Sequence, residues 1–592
     1  MKSAKFPVNI EIAELLRSVA ASYELKEPET SKFKIIAYQR AADAVEHASS
    51  ELKDLWDDGK LQEVPGIGKS IAEHLDGLFR KGESFHFKKI MSGIPRAVFT
   101  LIRLPQIGPK SAYKLVKELK LSEKNPVEDL EKAAKKGEIA QLSGFGESSQ
   151  SEILKVIQET KRRTRRHLLP YAISAAADVI EWLKKSSNIK GVDPLGSLRR
   201  WTSTVGDIDI AVASENPGEA IEHFIEYPKA QRVLEQGKHT TSILLPGNVQ
   251  IDLMIQPPSS YGALLQHFTG SKHHNIVLRE YAIKKGMSLS EYGIKVKNKL
   301  KKFSSEEEFY KTLGMDWISP ELREDSGEIE ASLRHQLPKL LELKDVKADL
   351  HIHSDFNIET SHDVGESSAE TLIKKADALG YEYIVFSEHN PSKSQHSSVQ
   401  TRDILSKKKK TIEKINYSIV KNKYKRIKKV FNSLEIDILP DGKLAIDEKA
   451  IDLLDFALVS IHSSFRSSRL DNTKRVLAAL SHPKVKILSH PTTRRLNQRE
   501  GIELEWPKIF EFCLRNNKWL EINADPIRLD LPDVLVKEAI NFGVKITLGT
   551  DAHHVDGLDD MIYGVSVARR GWAKSADIIN TRNLIEFEKM LK

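Results

Sequence analysis

The stretch GSLRRWTSTVGDIDIAV, residues 196–212, decides the fold in the middle of this chain. Its second half alternates apolar and acidic side chains, which is typical of a β-strand. Alternate side chains of a strand lie on one face, so we expect Asp207 and Asp209 to point the same way. A second alternating run, VQIDLMI at 249–255, would bring Asp252 beside them if the two strands are neighbours. Carboxylates gathered on one face repel one another unless cations lie between them, so the pattern predicts a site for hard cations such as Mg²⁺.

The composition limits the class of protein. A chain of 592 residues exceeds one ordinary core, so we expect about two to four domains. The net charge of +8 is a mild excess that permits a nucleic-acid partner without requiring one. Cys513 is the single cysteine, which excludes an internal disulfide and is typical of the reducing cytoplasm. No signal peptide or membrane-spanning run is visible, so we expect a cytoplasmic protein with no membrane partner.

The first 165 residues predict helices, because apolar side chains recur three and four positions apart. Three loops there each carry glycine and lead into an amphipathic helix, namely VPGIGKSIAEHL, LPQIGPKSAYKLV and LSGFGESSQSEIL. Such a loop exposes backbone N–H groups at the positive end of a helix, where they can bind a phosphate, although tight turns between helices also use glycine. The candidate residues for such phosphate contacts are Gly66, Gly68, Lys69, Gly108, Lys110, Gly144 and Gly146.

The motifs G-S-x-R-R, G-D-I-D-I and I-D-L resemble the palm of the family X DNA polymerases. HFTGSKHHNIVLR, at 267–279, resembles the nucleotide pocket of that family. The glycine loops resemble its helix-hairpin-helix motifs, which implies that the candidate phosphate-contacting residues of these loops are DNA-binding residues. The resemblance implies that Asp207, Asp209 and Asp252 hold Mg²⁺ or Mn²⁺, with Asp252 helping to deprotonate the primer 3′ hydroxyl. The residues that it implies for nucleotide binding are Gly196, Ser197, Arg200, Gly270, Ser271, Asn275 and Arg279.

The chain departs from the family pattern at several places. His267 stands where many members have a tyrosine that helps to exclude ribonucleotides. His74 and Ser70 stand at the two positions where relatives with deoxyribose phosphate lyase activity have lysine. Gln106 replaces the first glycine of the second loop. Since lyase chemistry needs an amine nucleophile, the sequence does not predict that activity.

From residue 347 onward, short apolar strands alternate with helices, which predicts a parallel α/β domain and a barrel. Histidines and carboxylates follow the ends of successive strands, where such folds build their sites. Imidazole together with carboxylate suits Zn²⁺, Mn²⁺ or Fe²⁺. The basic run at 406–429 is either a solvated helix face or a surface for DNA.

The strand-end motifs DLHIH, SEHN, LEID, SIH, SHP and GTDAH resemble the polymerase and histidinol phosphatase (PHP) domain, a distorted barrel with up to three metal ions. The resemblance implies phosphoester hydrolysis, including 3′→5′ exonuclease activity. His362 competes with Asp363 for one ligand position, and Glu388 stands where aspartate is usual. The implied ligands are His351, His353, Asp363, His389, Glu435, His462, His490, Asp551 and His553.

Together these patterns predict a multidomain α+β and α/β protein with helix-hairpin-helix modules, a nucleotidyltransferase palm and thumb, and a distorted (β/α)7 PHP barrel. We expect a monomeric polymerase that uses dNTPs to fill gapped or primer-template DNA in base excision repair and whose barrel processes 3′ ends. The alternatives are a nuclease or phosphatase with the palm as a DNA clamp, a nucleotidyltransferase for a non-DNA acceptor, and a DNA-end scaffold. The expected boundaries are 1–90 and 91–168 (helical), 169–257 (palm), 258–320 (thumb), 321–346 (linker) and 347–592 (PHP).

Overall fold

The computed structural model describes residues 9–47, 52–57, 59–64, 66–104, 107–162, 166–297, 299–422 and 424–592. Gln106 therefore lies outside the described residues, and so do residues 163–165 in the basic stretch KRRTRRHLL at 161–169. The chain divides into two compact units. The first comprises the described residues of 1–198 with 204–265 and 497–499, and the second comprises 199–203, 266–496 and 500–592. No helix of the described part is long and apolar enough to cross a membrane.

The amino-terminal part of the first unit is helical, as predicted. Its helices bury two separate apolar clusters, one within residues 12–87 and the other within 97–157. The helices are α1 (Asn9–Lys26), α2 (Lys32–His47), α3 (Leu52–Asp57), α4 (Lys69–Lys81), α5 (Phe85–Met91), α6 (Arg96–Leu101), α7 (Pro109–Glu118), α8 (Pro126–Lys135) and α9 (Glu147–Arg162).

A mixed five-stranded sheet follows in the same unit, in the order β2-β4-β7-β6-β5. The two predicted strands are β4 and β7, and they pair in parallel as neighbours in the centre of this sheet. Both strands are largely buried, because α10 and α12 cover the apolar side chains of the sheet. The elements are β1 (His167–Leu168), α10 (Leu169–Leu183), β2 (Gly191–Pro194), α11 (Gly196–Arg199), β3 (Thr204–Val205), β4 (Ile208–Ala213), α12 (Pro217–Ile225), β5 (Arg232–Gln236), β6 (Thr240–Leu245) and β7 (Val249–Gln256).

The thumb segment follows β7 and is organised around a buried charge network. Arg199 and Arg323 both bind the carboxylate of Glu306, at 2.7 Å each. Burial alone would raise the pKa of Glu306, but the two guanidinium groups outweigh it and lower that pKa to about 2. The elements are α13 (Tyr261–Thr269), α14 (Lys272–Lys284), β8 (Met287–Ser290), β9 (Gly293–Val296), β10 (Lys299–Lys301), α15 (Glu306–Thr312) and α16 (Glu328–Leu333).

The charged segment expected to be a linker is partly packed into the thumb. Arg323 and Glu328 are fully buried. Glu328 accepts a hydrogen bond from His274 at 2.7 Å, and the other ring nitrogen of His274 lies 3.0 Å from the hydroxyl of Tyr310. Arg323 and Glu328 therefore serve packing, because each finds a buried partner.

The carboxy-terminal half of the second unit is the predicted barrel of parallel strands. β13 and β14 are two segments of one barrel strand, because β13 pairs with β12 and Glu435 of β14 pairs with His389, just after β12. The eight strand segments therefore form seven barrel strands. The strands are β11 (Ala348–Ile352), β12 (Tyr383–Phe386), β13 (Lys429–Asn432), β14 (Glu435–Asp437), β15 (Ala457–Ser460), β16 (Val485–Leu488), β17 (Trp519–Asn523) and β18 (Ile546–Gly549). The helices are α17 (Ala369–Leu379), α18 (Ser398–Asn422), α19 (Glu448–Ile451), α20 (Arg469–Leu480), α21 (Trp506–Arg515), α22 (Asp533–Phe542), α23 (Met561–Arg570) and α24 (Leu584–Leu591).

Asn580 closes the barrel between its first and last strands. Its fully buried side chain donates to the carbonyls of Ala348 on β11 and Leu548 on β18, at 2.8 Å each. Its side-chain oxygen accepts from the backbone N–H of Leu548 at 2.7 Å. One side chain thus replaces the missing ladder bonds at this end of the seam.

Replacing Asn580 by Ala is expected to destabilise the barrel by at least about 3 kcal/mol. The change leaves three buried backbone groups without this partner, and each such group costs about 1–3 kcal/mol. The measurement is the urea midpoint of the barrel transition, followed by the tryptophan fluorescence of the chain, to which the fully buried Trp519 of the barrel contributes. Asn516→Ala is the matched control, because among the described residues that exposed amide binds a single carbonyl, that of Phe512 on the preceding helix. An equal loss of stability in both variants would contradict the assignment.

Candidate active sites

The palm carboxylates gather where β4 and β7 pair. Asp209 stands directly opposite Asp252 in the parallel ladder, and neighbouring strands are about 4.8 Å apart. Gln250 donates from its amide nitrogen to both oxygens of Asp252, at 2.9 and 3.1 Å. Asp207 lies in the turn just before β4. The prediction that the two strands are neighbours is confirmed, whereas the strand itself begins one residue after Asp207.

Gly196 is required by its contact with the palm carboxylate. Its φ is +56°, and a Cβ at this position would lie 2.5 Å from Oδ2 of Asp209. The backbone N–H of Leu195 also donates to the carbonyl of Asp209, at 2.8 Å. The short helix α11, whose first turn carries Ser197, therefore begins against the carboxylate itself. Only glycine permits this approach, because any side chain would collide with a cation ligand.

The donor set of the palm consists of carboxylate oxygens, which are the ligands that Mg²⁺ and Mn²⁺ prefer. In the described ranges, every group of three or more metal-type residues whose ligand atoms all lie within 4.8 Å of one another belongs to the barrel. The three palm carboxylates are therefore more widely spaced than the barrel ligands. Their oxygen chemistry fits hard cations.

The residues predicted to bind the nucleotide cluster at the start of the thumb. Arg200 donates through Nη1 to the carbonyl of Thr269 at 2.6 Å. Gly270, with φ +66°, lies so close that a Cβ would be 3.3 Å from that same nitrogen. Ser271 caps α14 by accepting from the backbone N–H of His274 at 3.3 Å. The predicted residues Gly270, Ser271 and Arg200 are therefore brought together by this turn.

Asn275 and Arg279 lie one turn apart on α14, which places them on one face of the helix. Asn275 donates to the carbonyl of His267 at 2.7 Å and is half-buried, whereas Arg279 is exposed. Burial lowers the pKa of His267, with the charge of Glu291 opposing that shift. The imidazole at the position of the expected tyrosine is therefore neutral at pH 7.

The glycine loops open onto helix ends as predicted. Gly68 and Gly108 are the residues immediately before α4 and α7, and Lys69 and Lys110 lie in the first turns of these helices. Gly66 and Gly144 have φ of +78° and +79°, which favours glycine. Among the described atoms, a Cβ at Gly68, Gly108, Gly144 or Gly146 would meet nothing within 4 Å. These loops are thus open on the side where a side chain would project.

The position expected for a lyase amine is occupied by stacked imidazoles. The ring of His74 lies 4.0 Å from that of His86, at an interplanar angle of 7°. His86 also lies 3.0 Å from the hydroxyl of Tyr23. Burial lowers the pKa of both histidines. This stack replaces an amine nucleophile with packed aromatic rings.

The barrel site is centred on Glu435, which is completely buried. Among the described residues, five imidazoles have a nitrogen within 4.0 Å of its carboxylate. Burial would raise the pKa of Glu435, but the imidazoles hold it well below its ordinary value. The neighbours are His351 at 3.4 Å, His353 at 3.7 Å, His389 at 3.0 Å, His462 at 3.5 Å and His490 at 2.6 Å.

Four overlapping groups of ligand atoms surround this carboxylate, and in each group all atoms lie within 4.8 Å of one another. The groups share members, so one carboxylate and several imidazoles are placed to serve more than one ion. The groups are His351, His353, Glu435 and Asp551; Glu435, His462 and His490; His353, His389 and His553; and His362, His389 and His462.

The structure brings both His362 and Asp363 to the rim of this cluster. His362 donates to Asp437 at 2.8 Å and belongs to one of the four groups. Asp363 is 43% exposed and lies 3.6 Å from His389 and 3.8 Å from His553. His362 is thus the more deeply integrated of the two residues that compete for this position.

Carboxylates outside the predicted set orient the imidazoles. His351 donates from Nδ1 to Glu521 at 2.8 Å, which directs Nε2 toward Asp551 and Glu435. His462 donates from Nδ1 to Asp437 at 2.7 Å. Burial lowers the pKa of His462 to about 4, so its outer nitrogen is unprotonated at pH 7. Metal-ligating histidines are commonly held in this way.

Glu388, which replaces the usual aspartate, forms a buried ion pair with Lys408 at 2.6 Å. The side chains are only 3% and 1% exposed. Glu388 also accepts from the backbone N–H of Ser354 at 3.3 Å, next to His353. Glu388 is therefore neutralised by a lysine of the long basic helix α18.

Two buried polar atoms of the barrel that lack hydrogen-bond partners indicate that its residues fit a metal centre. Oε2 of Glu435 and Nδ1 of His389 are buried and have no hydrogen-bond partner among the described residues, although they lie only 3.0 Å apart. Buried polar atoms are almost always paired, and an ion between them would pair both. Imidazole with carboxylate donors matches Zn²⁺, Mn²⁺ or Fe²⁺.

Comparisons with known proteins agree with this architecture. Family models match for the helix-hairpin-helix domain at 7–84, the SAM-like helix-hairpin-helix tandem at 98–159 and the DNA polymerase beta thumb at 264–324. DNA polymerase/3'-5' exonuclease PolX of Bacillus subtilis (strain 168) is 33% identical over 589 residues, which is 98% of this chain and 99% of that protein. The chain belongs to the family X DNA polymerases.

Two shorter similarities cover separate parts of this family X chain. DNA polymerase lambda of Rattus norvegicus is 29% identical over 161 residues, 22% of this chain and 28% of that polymerase. A protein described as a probable phosphatase in Thermoanaerobacter sp. (strain X514) is 28% identical over 134 residues, 21% of this chain and 52% of that protein. The predicted family and fold class are confirmed.

Two residues of the barrel site in this family X polymerase were missed by the sequence reasoning. Asp437 lies two positions after Glu435 on β14, so period-two alternation would have placed it on the same face. Glu521 is the charged residue inside the buried strand WLEIN, and a buried charge in a strand indicates a partner.

Proposed function

We propose that this chain is a DNA-directed DNA polymerase that fills short gaps during DNA repair and that its barrel shortens DNA from the 3′ end. The observation that supports the polymerase activity most strongly is Asp209 opposite Asp252, with the backbone of Gly196 against Asp209. The nuclease proposal rests on the histidine and carboxylate cluster around Glu435. The name of the Bacillus subtilis relative combines the same two activities.

In the palm, bound Mg²⁺ or Mn²⁺ supplies charge that stabilises the attacking and leaving oxygens of phosphoryl transfer. Asp207, Asp209 and Asp252 hold these ions, and Gln250 fixes the orientation of Asp252 so that it can take the proton of the primer 3′ hydroxyl. The nucleotide-binding residues are Gly196, Ser197 and Arg200, with Gly270 and Ser271, for the triphosphate, and Asn275 and Arg279 for the nascent base pair.

The barrel ligands would hold up to three ions of Zn²⁺, Mn²⁺ or Fe²⁺, which when bound would supply the Lewis-acid charge needed for hydrolysis of a phosphodiester. The ligands that we propose are the predicted set with His362, next to Asp363, at the rim. Asp437 and Glu521 hold imidazoles in place, so the cluster is preorganised by the fold. DNA bound through the glycine loops of the helical modules, with no base contacts required, would supply the 3′ end.

The finer points of the proposal follow from these roles. We propose that the helical modules, palm, thumb and PHP barrel have the boundaries expected from the sequence, with part of the linker built into the thumb. The substrates are gapped or primer-template DNA and dNTPs. We also propose that the protein is monomeric and acts in the cytoplasm.

A labelled primer on one-nucleotide-gapped DNA with a 5′ phosphate tests the proposal. With Mg²⁺ or Mn²⁺ and dNTPs, we expect the primer to gain one nucleotide. Without dNTPs, we expect it to be shortened from the 3′ end. A gel resolves both products in one experiment.

Two matched substrates serve as controls for this assay. A 2′,3′-dideoxy primer end lacks the acceptor hydroxyl, so it must block extension, and a 3′-terminal phosphorothioate must slow shortening. Shortening without extension would favour a nuclease that uses the palm as a DNA clamp. If the DNA primer stays unchanged both with and without dNTPs, and an RNA primer is extended instead, the acceptor is RNA and not DNA.

A further inference from the structure

Arg570, the last residue of α23 in the barrel, is buried against the arginine assigned to the triphosphate. Its side chain is 9% exposed. Nη1 donates to the backbone carbonyl of Arg200 at 2.8 Å and to Glu324 at 3.0 Å. Nη2 pairs with Asp533, at the start of α22, at 2.7 Å. A side chain of the barrel thus touches the main chain of a nucleotide-binding residue.

Glu324 connects the two arginines through a single oxygen. Its Oε1 accepts from Nε of Arg200 at 2.9 Å and also from Nη1 of Arg570. Within the described chain, the guanidinium of Arg200 donates to Glu324 and to the carbonyl of Thr269, through Nε and Nη1. Nη2 of Arg200 makes neither of these hydrogen bonds, so it is the end of the guanidinium that a phosphate would meet, while Nε is held by Glu324.

The charge of Glu324 competes with a nucleotide for Arg200. A carboxylate that serves one guanidinium alone neutralises it, whereas a second guanidinium on the same oxygen draws part of that negative charge away from the first, although Asp533 in turn balances part of the charge of Arg570. Arg570 supplies this second guanidinium. It also fixes the turn that carries Arg200, because it binds the carbonyl of that residue.

We propose that Arg570 is a positioning residue for polymerisation, through which the hydrolytic barrel sets the affinity for the incoming dNTP. It does so by sharing Glu324 with Arg200 and by holding the main chain of Arg200. This inference rests on the proposed function, since it needs Arg200 to bind the triphosphate. It adds that the barrel contributes directly to nucleotide capture.

Replacing Arg570 by Gln is expected to raise the KM for dTTP opposite template adenine by about tenfold or more, a size typical of coupling between linked sites. The kcat is expected to stay within about threefold, because Arg570 touches no reacting atom. DNA hydrolysis, measured without dNTPs, is expected to be unchanged. Steady-state single-nucleotide extension by the full chain gives both constants.

Arg569→Gln is the matched control on the same helix. Arg569 pairs with Glu321 of the thumb segment at 2.7 Å and binds the carbonyl of Leu341, so its loss removes a neighbouring contact of the same kind. We expect the KM of this variant to stay within about twofold of the wild type. An equal rise in KM for both variants would mean that any lost contact between α23 and the thumb segment weakens nucleotide binding. This result would overturn the proposal.

A double variant separates charge sharing from loss of structure. In Arg570→Gln/Glu324→Gln, no carboxylate competes for Arg200, so we expect the KM to fall back toward the wild-type value. Arg570→Lys, which retains the charge, is expected to lie between the wild type and Arg570→Gln. If the KM of the double variant is as high as that of Arg570→Gln, or higher, the role of Glu324 is contradicted.

The failure of this inference is distinguishable from the failure of the proposed function. If the wild-type chain does not extend a primer with dTTP, the proposed function fails. If the wild type extends the primer and Arg570→Gln has an unchanged KM, only the role of Arg570 fails.

Discussion

Replacing Asp209 by Asn is expected to lower nucleotide addition by about a thousandfold or more while DNA hydrolysis by the barrel continues. Asp209 faces Asp252 across the parallel ladder and is contacted by Gly196, so its carboxylate is central to the cation site of the palm. A metal ion contributes several kcal/mol to transition-state stabilisation, and each 1.36 kcal/mol is tenfold in rate. Single-turnover extension of a gapped primer measures the loss.

Asp193→Asn is the matched control for this experiment. Asp193 is another palm carboxylate, on β2, and accepts a hydrogen bond from the hydroxyl of Tyr261 at 2.7 Å. An asparagine oxygen can accept the same bond, so we expect nearly full activity. The assignment of Asp209 would be refuted if Asp209→Asn extended the primer fully. It would also be refuted if Asp193→Asn lost as much extension as Asp209→Asn.

Replacing Glu435 by Gln is expected to reduce DNA hydrolysis by about a thousandfold or more and to leave primer extension in place. Within the described ranges, Glu435 is the one carboxylate that belongs to two of the ligand groups, and imidazoles surround it at 2.6 to 3.7 Å. Loss of its charge removes a ligand that these groups share, and loss of a ligand lowers metal affinity as well as rate. The measurements are 3′-end shortening and the metal content of the purified protein.

Glu370→Gln controls for a carboxylate lost elsewhere in the barrel. Glu370 is an exposed residue of α17 that pairs with Lys374, so neither activity nor metal content is expected to change. If Glu435→Gln hydrolyses DNA at the wild-type rate, the active site lies outside the cluster. If it loses extension as well, the two sites are not separable in the way proposed.

Much of the barrel site could be predicted because alternation and strand ends are local signals. His351 lies on β11, Glu435 begins β14, and His389, His462 and His490 follow β12, β15 and β16 within two or three residues. The palm was predictable for the same reason, since Asp209 and Asp252 each lie in an alternating run. In both cases, a short segment determines where a side chain points.

The remaining features depend on contacts that no local pattern encodes. The pair of Arg570 with Glu324 joins residues 246 positions apart, and neither one stands out in its own segment. His362 and Asp363 are adjacent in a loop, so only the folded chain separates their environments. Asp207 lies outside β4 because the chain bends at Gly206 and Asp207, so that the strand begins only at Ile208.

The seam closed by Asn580 has a consequence for the order in which the protein matures on the ribosome. Asn580 joins β11 to β18, and the metal ligands Asp551 and His553 follow β18 directly. The nuclease centre is therefore incomplete until the segment beyond β18 has emerged, whereas the strands that carry Asp209 and Asp252 are translated much earlier. A nascent chain would acquire a folded palm sheet well before it could degrade DNA.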